Sequence, residues 1–76
     1  MEQAIVLITL EAQSEFEALK ALQNTKRVTE AHFLYGPYDA YAMIKSETTQ
    51  QIQEIILNNI REIKGIKSTL TCFIAD

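Results

Sequence analysis

The sequence predicts an α+β fold in which two helices cover one face of a four-stranded antiparallel sheet. Three observations predict it. Four short runs rich in β-branched and aromatic residues are spaced along the chain. Two segments opened by capping boxes carry apolar residues at helical intervals, one between the first and second runs and one between the third and fourth. A Gly-Pro break then divides the two middle runs, leaving room only for a hairpin turn.

The first run, "AIVLITL" at 4–10, is continuously apolar, as a strand buried on both faces would be. "SEFE" follows, in which Ser14 can cap a helix and Glu17 can reach back to it. Phe16, Leu19 and Leu22, with Ala18 between them, place that helix over about Ser14 to Asn24. The second strand is "VTEAHFLY", 28–35, broken by Gly36-Pro37, and the third is "DAYAMIK", 39–45. "TTQQ" sets Thr48 and Gln51 as a second capping box. The longer helix it opens carries an apolar stripe of Ile52, Ile55, Ile56, Ile60 and Ile63, and Gly65 stands where a C-terminal glycine cap belongs. "IKSTLTCFI", 66–74, is the last strand. The order is β-α-β-β-α-β, the split βαβ of ferredoxin-like folds.

Composition limits what such a domain does. At 76 residues the chain is one small domain, 1–76, which buries only about 60% of its unfolded surface and gains from an added source of stability. A single cysteine, Cys72, allows no intrachain disulfide. One Cys and one His without paired spacing provide no zinc site, and nothing calls for a cofactor. Self-association is the remaining route. No apolar run approaches the ~20 residues of a membrane span. The acidic start "MEQAIVLITL" lacks the basic region of a signal peptide, which points to the cytoplasm. A net charge of −3 without a Lys/Arg cluster argues against direct nucleic-acid binding.

The sheet face left open by the helices is too apolar to stay wet. The third strand places Tyr41, Met43 and Lys45 there, and the first strand is apolar in either register. In the last strand the alternate set Ile66, Ser68, Leu70, Cys72, Ile74 suits the helix-covered face, making Cys72 a small buried hydrophobe. Lys67, Thr69, Thr71, Phe73 and Ala75 then share the other face. Each large side chain buried is worth roughly 1.5–3 kcal/mol, a sizeable part of a small domain's stability. The open face is expected to pack against another subunit, as in a dimeric α+β barrel.

"YGPYDAY", 35–41, holds all three tyrosines and the single proline. Gly36 and Pro37 explain a turn; the tyrosines and Asp39 are more than a turn requires. Asp39 either receives an ammonium group, with turn amides holding a carboxylate, or accepts hydrogen bonds from turn backbone. Tyr38 is expected exposed at the apex, a pocket wall or contact residue, and Tyr35 and Tyr41 are expected to pack within strands. His32 has no nucleophile or carboxylate set beside it by the sequence and suits an interface, where it adds pH sensitivity to assembly. Asn59 falls inside the isoleucine stripe and is expected to bond backbone.

Taken together, "YGPYDAYAMIK" and "REIKGIKSTLT" resemble the RAM domain, the effector-binding and oligomerising half of the Lrp/AsnC transcriptional regulators. The motifs are Gly36-Pro37-Tyr38-Asp39 in the hairpin and Gly65-Ile66 leading to Thr69-Leu70-Thr71 in the last strand. The resemblance covers the whole chain and differs in two places. Full-length members carry an N-terminal helix-turn-helix, whereas here Met1 leads directly into the first strand, as in a stand-alone form without a DNA-reading domain. Members often have a glycine before the second strand, where this chain has Asn24-Thr25-Lys26-Arg27.

The resemblance implies sheet-to-sheet homodimers that assemble into octamers or decamers and bind an amino acid or similar small effector between dimers. Gly36, Tyr38, Asp39, Thr69 and Thr71 would make the contacts. It implies a non-enzymatic module that modulates transcription or amino-acid metabolism, joining full-length regulators of the family as partners. The alternative within the same topology is a small enzyme of the dimeric α+β barrel type, a cofactor-free monooxygenase or isomerase built on His32 or Asp39. A third reading is an ACT-like module, for which a glycine after the first strand is expected; "EAQSE" stands there instead.

Overall fold

The computed structural model describes residues 1–76. Strands β1 (Glu2–Leu10), β2 (Val28–Phe33), β3 (Ala40–Ser46) and β4 (Ile66–Phe73) form one antiparallel sheet in the order β2-β3-β1-β4. Helix α1 (Glu15–Gln23) joins β1 to β2, and α2 (Thr49–Ile55) leads into a π-helical turn, Ile56–Ile60, before β4. The two helices lie on the same face, so the predicted ferredoxin-like arrangement is the observed one.

The core follows from the alternation of β1. Ala4, Val6, Ile8 and Leu10 point to the helices, as do Ala40, Ala42 and Ile44 of β3. Ala18 and Leu22 of α1 meet them, with Ile52, Ile56 and Ile60 from α2 and its π turn. Small alanines on the central strands let the helices sit close to the sheet, and the isoleucines fill the remaining space.

The helix ends differ in detail from their predicted caps. Thr48 Oγ1 accepts from Gln51 N (3.1 Å), as the capping box requires. Gln51 Oε1 accepts instead from Glu47 N (3.1 Å) and Ser46 Oγ (2.8 Å), which satisfies the one buried polar side chain on the core face. Ser14 stands at the α1 N-cap but makes no side-chain cap bond. Its ψ of 9° is not the extended N-cap geometry that aims Oγ at the first-turn amides. Gly65 is not the cap of α2. The helix closes earlier, through the i→i−5 bond from Arg61 N to Ile56 O (2.9 Å), and this widened turn does not propagate. Asn59 within it is exposed rather than bonded to backbone in the stripe. Before β2, Arg27 adopts φ +77°, a left-handed conformation that a glycine would reach without strain.

The largest departure is the facing of β4. Leu10 pairs with Ile66, but Thr9 pairs with Ser68, so Lys67 is an extra residue bulged out of the ladder. A one-residue slip exchanges the faces of everything that follows. Ile66 is helix-facing as expected. Beyond it Thr69, Thr71 and Phe73 face the helices, opposite the buried Ile8, Val6 and Ala4, and Leu70 and Cys72 face outward. Cys72 is exposed, not buried, and Leu70 keeps 48% of its surface accessible.

The open face therefore carries a contiguous band in which Leu7 lies between Tyr41 and Leu70, and Ile5 between Met43 and Cys72. Polar residues rim it: Thr9 hydrogen-bonded to Ser68 at one end, and Lys45 and Gln3 at the other. Tyr41 meets His32 across the β2–β3 pair, ring centroids 5.8 Å apart. Desolvation and, after it, the neighbouring Glu30 carboxylate raise the Tyr41 phenol above its usual 10.0. A raised folded-state value favours the protonated phenol. Its stabilisation is complete below pH 10 and is lost as pH rises through the higher folded value. Melting temperature measured from pH 9 upward should thus fall more steeply in the wild type than in Tyr41→Phe. Parallel curves would remove this role.

Candidate functional site at the hairpin

The β2–β3 connection is anchored to the end of β1 through Asp39. Its N–H donates to Ile8 O (2.8 Å), its carbonyl accepts from Leu34 N (2.9 Å), and its Oδ2 accepts from Leu10 N (2.8 Å). Oδ1 makes no hydrogen bond within the chain. Both readings of Asp39 are thus physically compatible: one oxygen holds backbone and the other is available. The amides of Tyr35, Gly36 and Tyr38 also have no partner within the chain. Gly36 has φ +124°, and no heavy atom lies within 4 Å of where a Cβ would stand, so conformation alone demands glycine there.

Beside this turn lies a cleft of about 530 Å³ between the hairpin and the start of α1. Leu10 and Asp39 form its floor, with Glu15 and Phe16 on one wall and Phe33, Leu34 and Tyr35 on the other. Its size and mostly apolar lining are those of a small-molecule site. Phe16 is 80% exposed and packs edge-on against Phe33 with ring centroids 5.4 Å apart, so it lines the cleft rather than the core. The tyrosines exchange their expected places: Tyr38 at the turn is half-buried, whereas Tyr35, beyond the end of β2, is fully exposed at the cleft mouth.

Of the residues singled out by sequence, Asp39 lines the cleft, and Gly36 and Tyr38 belong to the adjoining turn. Thr69 and Thr71 do not line it. They share the helix-facing side of β4; Thr69 lies beside Arg61 and Lys67, and Thr71 beside Ile56, Leu57 and Phe73. Thr69 stands opposite Ile8, whose carbonyl holds Asp39, so β1 separates the two groups by roughly 10 Å at ordinary strand spacing. Within one chain the hairpin and the threonines are two surfaces. Helical spacing in the sequence groups Phe16 with Leu19 and Leu22; the signal that sets it off from the core face is its position about 200° around the helix from buried Ala18, at 100° per residue. No group of three or more His, Cys, Asp or Glu is placed to hold a metal.

An open apolar sheet face and a cleft at the hairpin are features that a small α+β ligand-binding domain presents. The chain is a member of the Lrp/AsnC ligand binding domain family, whose model matches residues 3–76. It is 29% identical over 70 residues to regulatory protein AsnC of Escherichia coli, covering 92% of this chain and 46% of AsnC. It is 27% identical over 71 residues to an HTH-type transcriptional regulator of Pyrococcus furiosus, covering 90% of this chain and 47% of that protein. The chain thus spans about half the length of these relatives, which are regulators of transcription. Among solved structures, FFRP-DM1 superposes with a TM-score of 0.92 at 28% identity, covering 99% of this chain and all of that one. E. coli AsnC superposes at 0.91 and 26% identity, covering 99% of this chain and 51% of its own. No helix is long and apolar enough to cross a membrane.

Proposed function

We propose that this domain binds an amino acid in the hairpin cleft and works as a homo-oligomer in the cytoplasm, modulating transcription or amino-acid metabolism through full-length regulators of its family. The observation that carries the reading is the turn itself. It offers a carboxylate oxygen on Asp39 and unpaired amides at Tyr35, Gly36 and Tyr38 beside an apolar cleft, a complement to the ammonium, carboxylate and side chain of an amino acid.

The open sheet face supports pairing with a second copy. Its apolar band of Ile5, Leu7, Tyr41, Met43, Leu70 and Cys72 inside a polar rim is the anatomy of a protein interface. Two such dimers meeting at their hairpins would bring a second chain, with its Thr69 and Thr71, toward the cleft. Octameric or decameric rings are the closed forms of that contact.

The test is thermal denaturation and light scattering against the twenty amino acids. A ligand at a hundredfold its Kd should stabilise the fold by about 2.7 kcal/mol. Asp39→Asn should weaken that response. Silence across the whole panel, in both melting and assembly, counts against the effector role.

A further inference from the structure

We infer that the cleft selects an amino acid with a cationic side chain, lysine above its uncharged analogues; the inference rests on the effector reading above. The argument is the charge of the lining. Two carboxylates, Asp39 and Glu15, face the cleft, and no lysine or arginine does. Asp39 and the turn amides suffice for the ammonium and carboxylate common to all amino acids, which leaves Glu15 unmatched.

Glu15 is half-buried on the far wall, at the first residue of α1. Phe16, Phe33 and Tyr35 line the same cleft; their ring faces attract cations and their bodies accept an alkyl stem. A long aliphatic chain ending in an ammonium matches a lining of aromatic rings and a carboxylate. An acidic side chain would meet Glu15 as a like charge. The competing explanation is that Glu15 only complements the helix N-terminus. Glu17 occupies the same first turn, is exposed, and lies outside the cleft, so it separates the two explanations.

The experiment is calorimetric titration of the whole chain with L-lysine and with L-norleucine, which has nearly the same stem and no charge. Lysine should bind about threefold to fivefold tighter, the range of one partly exposed ion pair. Glu15→Gln should bring that ratio to near one, and Glu17→Gln should leave it unchanged. Equal or tighter binding of norleucine overturns the inference, as does a lysine preference that survives Glu15→Gln or falls equally in Glu17→Gln. If another amino acid binds and lysine does not, this inference alone falls. If none of the twenty binds, the effector reading falls and takes this inference with it.

Discussion

Leu7→Asp is expected to run as a folded monomer at micromolar concentrations where the wild type is expected to run as a dimer or a larger assembly of dimers. Leu7 lies at the centre of the open face, flanked by Tyr41 on β3 and Leu70 on β4, and takes no part in the 13-residue core. Removing it leaves the single chain intact. In a two-fold pair one substitution appears on both sides, so two carboxylates would be desolvated near each other with no partner. Together with the lost apolar burial this costs roughly 4 kcal/mol or more, about a thousandfold in dimer affinity. Val6→Asp is the contrasting case: one position along β1, it points into the core, where Val6 is fully buried, and should abolish folding. Light scattering reads the mass, and circular dichroism reads the fold. A wild type already monomeric, or a Leu7→Asp chain that still pairs, would refute sheet-face association.

Topology and core were legible because they rest on periodicity. The alternation of β1, the isoleucine stripe of α2 and the Gly-Pro break each report one local rule, and the sheet order combines them. The facing of β4 was not legible. The Lys67 bulge is decided by pairing with β1, and nothing in "IKSTLTCFI" marks which residue drops out of the ladder. That slip changes function as well as packing, because it puts Leu70 and Cys72 on the open face and enlarges the very patch from which association was inferred. It also turns Thr69 and Thr71 toward the helices. At the site, Asp39 and Gly36 were visible as turn chemistry. Glu15, Phe33 and Tyr35 became cleft residues only when α1 and the hairpin were brought together in space.

Gly65→Ala should destabilise the domain by about 2–4 kcal/mol, lowering its melting temperature by roughly 10 °C or more. Two costs coincide there. Gly65 has φ +99°, a conformation L side chains rarely adopt, and a Cβ built on it would lie 2.9 Å from Ser14 Cβ, 3.1 Å from Ser14 O and 3.2 Å from Ala18 Cβ. These neighbours are backbone and Cβ atoms of α1 and its N-cap residue, which have no rotamer through which to retreat, so the helix itself must move. Gly65 O also accepts from Glu11 N (2.8 Å), tying the same turn to the end of β1. Gly36→Ala is the internal control: its φ of +124° is also unfavourable, but open space surrounds it, so only the conformational cost of about 1–2 kcal/mol applies. Urea denaturation of the two variants separates steric from conformational cost, and equal losses would show that the contact with Ser14 yields freely. The displacement has a functional reading too. Ser14 immediately precedes Glu15 and Phe16, so a shift of α1 at Gly65 moves one wall of the cleft, and Gly65→Ala should also weaken the proposed ligand response at that wall.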